Sequence, residues 1–78
     1  MATLRLFAAA REAAGTGRAT VEGATVGAVL DEATARFGAG FADVLGTCRV
    51  WVNGEPATRD QPVAASDEVA VLPPVSGG

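Results

Sequence analysis

Apolar and polar positions alternate from the first residues of the chain. In Thr3-Leu4-Arg5-Leu6-Phe7, Leu4 and Leu6 fall on one face of a strand and Arg5 and Phe7 on the other. The alternation stops at Ala8. Residues 8–14 are alanine-rich and carry Arg11-Glu12, which predicts a short helix, with Gly15 as its C-terminal cap. Residues 18–22 contain Thr20 and Val21 and are expected to pair back as a second strand. A helical period then takes over. Val26, Val29, Leu30, Ala33 and Phe37 make one apolar stripe along residues 25–37, with Thr25 placed to cap it and Asp31, Glu32 and Arg36 facing water. Gly38 and Gly40 are expected to end this helix. Residues 41–45 are read as one further turn that returns Phe41, Val44 and Leu45 to the core.

Alternation resumes over residues 47–53. Cys48, Val50 and Val52 share one face, and Arg49, Trp51 and Asn53 share the other. Asn53-Gly54 is a strong hairpin signal, because both residues tolerate the positive φ of a tight turn. Residues 55–67 read as a short return strand and an irregular loop, punctuated by Pro56 and Pro62. The last strand, residues 68–72, stops at Pro73-Pro74, which have no N–H to offer a sheet. The order is strand, short helix, strand, long helix, strand, short strand, strand. One long amphipathic helix must cover one face of a mixed sheet, reached by a right-handed crossover from the second strand. The expected class is α+β, a ubiquitin-like β-grasp over residues 1–74, followed by a flexible tail over residues 75–78.

Composition narrows the possibilities. Seventy-eight residues make one domain. One cysteine and no histidine rule out an internal disulfide framework or a Cys/His zinc site, so packing must supply the stability. Six arginines against nine acids give a net charge of −3, and no basic run suits a nucleic acid. No apolar stretch approaches the roughly 18 residues of a membrane span, and the N-terminus lacks a signal-peptide pattern. The expected location is the cytoplasm, with a reduced thiol. With no lysine, the chain cannot link its own C-terminus to a lysine of another copy.

The tail concentrates the candidate chemistry. Val75-Ser76-Gly77-Gly78 follows two prolines, which hold an extended exit from the sheet. Four extended residues reach about 13 Å. Ser76, Gly77 and Gly78 have almost no side-chain bulk, so the tail suits a narrow channel in another protein, and Gly78 would present its carboxylate there. Leu6-Phe7-Ala8-Ala9-Ala10-Arg11-Glu12, Gly15-Thr16, Val52-Asn53, Asp67-Glu68-Val69-Ala70 and Leu72-Pro73-Pro74-Val75-Ser76-Gly77-Gly78 resemble the MoaD/ThiS sulfur-carrier family, and specifically the small subunit of molybdopterin synthase. The resemblance covers essentially the whole chain.

It implies a carrier rather than an enzyme. An ATP-using, ubiquitin-activating-like adenylyltransferase would adenylate Gly78, and a persulfide sulfur-donor protein would convert the acyl-adenylate to a thiocarboxylate. The large synthase subunit, in a heterotetramer, would receive Val75, Ser76, Gly77 and Gly78 and pass the sulfur to cyclic pyranopterin monophosphate. ATP belongs to the activating enzyme; no cofactor or metal is expected on this chain. Sulfur donation to thiazole, cysteine or a specialised metabolite, and conjugation to lysines of other proteins, use the same activated carboxylate and stay open.

Other residues have blander roles. Cys48, in a valine-rich alternating strand, reads as a core thiol. Asp67 and Glu68 read as turn acids without an accompanying base, and Arg11-Glu12 as a surface pair. Phe7, Trp51 and Leu72 point away from the helix-covered face. They are the candidate partner interface, unless the loop of residues 55–66 covers them.

Overall fold

In the computed structural model, which describes residues 1–73, the alternating segments form one five-stranded sheet. The strands are β1 (Ala2–Leu6), β2 (Arg18–Val21), β3 (Arg49–Val52), β4 (Glu55–Pro56) and β5 (Glu68–Leu72), in the order β2-β1-β5-β3-β4. The central β1–β5 pair is parallel and every other pair is antiparallel. β2 and β3 therefore run in the same direction on opposite sides of the central pair. The connection between them carries α2 (Val26–Phe37) and α3 (Ala39–Leu45), while α1 (Ala8–Ala14) follows β1 directly. This is the β-grasp arrangement the sequence predicts.

Register explains the core. Leu4 lies opposite Val69, which lies opposite Val52; Leu6 lies opposite Val71, which lies opposite Val50. These rows face the helices. Ala2, Leu4, Leu6, Val21, Val69 and Val71 are buried there with Val26, Val29, Leu30, Ala33, Ala10 and Phe41. Full burial of such a side chain contributes about 1.5–3 kcal/mol. Phe37 closes the end of the stripe edge-on to Phe41, with ring centroids 5.3 Å apart.

α2 begins as a well-satisfied helix. The Thr25 hydroxyl accepts from Ala28 N–H at 3.1 Å, and Val26 and Gly27 donate to the Gln61 and Arg59 carbonyls, both at 2.9 Å. Three N–H groups that a helix start leaves without partners are thus filled, two of them by the loop after β4. A Cβ on Gly27 would stand 3.2 Å from the Arg59 carbonyl oxygen, so the loop's close approach depends on this glycine.

Several boundaries differ from the sequence expectation: β1 lies one residue earlier, at Ala2–Leu6, α3 begins at Ala39, and β3 ends at Val52. Gly38, at φ +93°, alone separates α2 from α3, and Gly40 lies inside α3 rather than ending α2. β3 starts at Arg49 and not at Thr47, because the Thr47 and Cys48 N–H groups are used by the Val44 and Leu45 carbonyls at the end of α3. β2 ends at Val21, one residue short of the expected Glu22. The outer edge of β2 is also covered by side chains. Thr16 Oγ1 donates to the Arg18 carbonyl and accepts from its N–H, and Arg36 Nη1 donates to the Thr20 carbonyl. An edge occupied in this way is a poor template for an added strand.

Candidate functional site

Strand parity leaves Thr3, Arg5, Glu68, Ala70, Leu72, Arg49 and Trp51 on the face that no helix covers. Arg5 pairs with Ala70, and Ala70 with Trp51; Leu72 pairs with Arg49. Phe7 follows the last residue of β1 on the same parity and is 38% exposed. Phe7, Trp51 and Leu72, predicted from separate strands, line one shallow hollow of about 320 Å³ with Ala70, Gly54 and Glu68. Of the segment 55–66, expected as a possible cover, Pro56 pairs with Trp51, and the rest runs elsewhere. That loop is held against the start of α2 by the Arg59 and Gln61 carbonyls and by Val63 N–H to the Ala24 carbonyl.

Each wall of the hollow has a local cause. Phe7 is the residue before α1, in extended conformation, and the next residue, Ala8, takes φ +50°. That left-handed step turns the chain from strand into helix and leaves the Phe7 ring at the sheet edge. The Arg5 guanidinium lies 5.7 Å from the ring centroid, a cation–π distance, and 3.4 Å from the Glu68 carboxylate. Gly54 arises from the hairpin turn, where Asn53 and Gly54 have φ of +50° and +85°, as the Asn-Gly signal predicts. Leu72 is the last residue of β5, and Pro73 follows. Because Leu72 lines the hollow, the hollow stands beside the point where the chain leaves the sheet; Val75, Ser76, Gly77 and Gly78 lie outside the described residues.

The turn acids are structural. Asp67 accepts from Ala64 N–H at 2.8 Å and from Asn53 Nδ2 at 2.9 Å, and Asn53 Oδ1 accepts from Glu68 N–H. These donors, the Ala64 N–H first, hold the Asp67 carboxyl below the usual carboxylate value. Cys48, expected as a core thiol, packs against the core from its margin. It is half-buried just before β3, beside Leu30, Val50 and Arg59. Partial burial pushes its thiol pKa up and the Thr47 hydroxyl pulls it partly back, so the thiol stays protonated at neutral pH. The Arg11 side chain lies along Gly17 and lines a second hollow with Arg5, Phe7 and Arg18.

Sequence parity missed Ala70 and the arginines around the hollow, although Arg5, Ala70 and Arg49 share the parity of residues it did select. Among the described residues no group of three His, Cys, Asp or Glu side chains could hold a metal ion, and no helix is long and apolar enough to cross a membrane.

Residues 4–78 match the model of the ThiS family. The chain is 42% identical to small archaeal modifier protein 1 of Haloferax volcanii, over 95% of this chain and 97% of that one. The solution structure of small archaeal modifier protein 1 from Methanosarcina acetivorans superposes with a TM-score of 0.87 at 29% identity, covering 99% of this chain and 95% of that one. A putative molybdopterin converting factor, subunit 1, from Pyrococcus furiosus gives 0.84 at 26%, covering 95% and 97%. With the β-grasp topology, the match over nearly the whole sequence makes the chain a member of the ThiS family of small sulfur carriers and ubiquitin-like modifiers.

Proposed function

We propose that this protein is a sulfur carrier that works through the carboxylate of Gly78. The observation that carries the reading is family membership through residue 78, on a fold whose last strand ends beside an open apolar hollow. A terminal carboxylate, with a pKa near 3.5, is ionised at neutral pH and resists nucleophiles. Adenylation replaces that resistance with a good leaving group, AMP. The terminal sulfur of a persulfide then displaces AMP, and a thiol cleaves the resulting acyl disulfide to leave the thiocarboxylate. Residues 75–78 serve as the finger that enters the partner's active site, and the folded domain beneath them as the handle.

The acceptor we favour is cyclic pyranopterin monophosphate. The supports are the Pro-Pro-Val-Ser-Gly-Gly ending and the likeness to the Pyrococcus furiosus protein. The partners would be the large subunit of molybdopterin synthase, an activating adenylyltransferase and a sulfur-donor protein, in the cytoplasm. A second reading, attachment to lysines of other proteins, draws support from the relative that is named a modifier.

One experiment tests the carrier reading and separates the two outcomes. Incubation with the activating enzyme of the same organism, ATP and a persulfide donor should add about 16 Da, oxygen exchanged for sulfur at the activated carboxyl. Deleting Gly78 should abolish the gain without changing the fold. Phe7→Asp and Leu72→Asp should reduce it by weakening the grip on the enzyme. A gain that survives loss of Gly78 refutes the assignment. Isopeptide-linked adducts on lysines of other proteins, with no sulfur gain, favour the modifier reading.

A further inference from the structure

Charge is divided unevenly between the two sides of the sheet. Arg5 and Arg18 face each other across β1 and β2, and Arg49 stands opposite Leu72, all on the open face. Arg11 borders the same side, in the hollow it shares with Arg5, Phe7 and Arg18. The acid among them is Glu68, drawn to Arg5. Four of the six arginines therefore lie on or beside the open face, with Glu68 the acid paired among them, on a chain whose formal net charge is −3. The other two arginines are already engaged: Arg59 with Asp31 at 2.6 Å, and Arg36 with the Thr20 carbonyl.

Arg5 is held by Glu68 and the Phe7 ring, but the fold draws no such contact from Arg18 or Arg49. Two like charges directly opposed on neighbouring strands destabilise a sheet. Arg18 and Arg49 are exposed, and among the described residues neither guanidinium makes a hydrogen bond or an ion pair. Arginine is also the residue best suited to hold a carboxylate through two parallel hydrogen bonds.

We propose that the open face receives a protein surface that sets carboxylates opposite Arg5, Arg18 and Arg49, around an apolar side chain seated in the hollow of Phe7, Trp51, Ala70 and Leu72. The inference rests on the carrier reading and adds to it the chemistry of the partner. The arginines draw the carrier in with this face forward, which also brings the exit of its last strand to the partner. A nucleic acid or an anionic membrane fits less well. Either would set phosphates over an apolar hollow, and the eight acids elsewhere on the chain would repel an extended polyanion.

The test is the rate of association with the activating enzyme, measured by stopped flow from low to high ionic strength. Wild-type association should fall steeply as salt rises. The double variant Arg18→Gln/Arg49→Gln touches two exposed side chains that make no hydrogen bond or ion pair among the described residues, so its fold should persist. Its association should be roughly tenfold slower at low salt, and should approach the wild-type rate at high salt. A charge-matched control, Ala28→Glu/Ala35→Glu on the exposed side of α2, should change the rate far less.

A double variant with the wild-type rate and salt slope would overturn the proposal. So would a control that slows association equally, or no measurable association. Salt-sensitive binding of duplex DNA or of phosphatidylcholine–phosphatidylglycerol vesicles that shifts the Ala70 and Leu72 amides, with no such shift from the enzyme, would also overturn it. Association with the expected salt dependence but no mass gain would refute the Gly78 reading alone, and leave this surface standing.

Discussion

Ala8 sits at φ +50°, a region where an L-residue with a Cβ pays about 1 kcal/mol and which glycine enters freely. The strain falls on the first residue of α1, where the chain must leave a strand and start a helix within one peptide unit. Ala8→Gly should therefore raise stability by about 1 kcal/mol, read from the urea midpoint. A lower midpoint would mean that the glycine's extra freedom in the unfolded chain outweighs the relief. No sequence signal announces this position, because alanine in an alanine-rich run reads only as helix. Gly15 and Asn53-Gly54 were legible for the opposite reason: their residue types favour the φ values they adopt. Phe7, Trp51 and Leu72 were legible through parity alone. That they line one hollow was not, since their meeting depends on the parallel pairing of β1 with β5, which no local pattern encodes.

At the level of elements, the β3–β4 hairpin is clasped to the start of β5. Asn53 N–H donates to the Glu68 carbonyl, its side chain bonds both Asp67 and the Glu68 N–H, and the Asp67 carbonyl accepts from Thr3 N–H. The Asp67 carboxylate is the hub, and its folded pKa is lowered by the Ala64 N–H and then by Asn53. A depressed folded pKa contributes stability that is present above the unfolded value, about 4, and is lost as pH falls through the folded value. Wild-type protein should thus lose stability on acidification, and Asp67→Asn should show a shallower loss between neutral pH and pH ~2.5. Equal slopes in the two proteins, from urea melts across that range, would show that the clasp does not sense the charge. Element types and order were readable from burial parity and helical period, including Thr25 as the α2 cap. The overrun of β3 and the docking of the loop on α2 were not. In both cases backbone N–H groups are satisfied by distant carbonyls, so the deciding partner lies outside any sequence window.

For the molecule as a whole, the decisive fact is the place of β5. It pairs with β1 on one side and β3 on the other, so it joins the two halves of the sheet. A fragment of residues 1–67 keeps all three helices and four strands but loses the strand between β1 and β3. It should show no cooperative thermal transition by circular dichroism; a cooperative melt would mean that β1 and β3 can close on each other directly. β5 also leaves the ribosome after the other four described strands, and pairings between distant segments form late. Its residues Ala70 and Leu72 are two walls of the open-face hollow. A copy interrupted before β5 therefore lacks both the strand that joins the sheet and the β5 wall of the docking hollow. The topology acts as proofreading: an unfinished chain offers nothing for a partner that reads this face to hold.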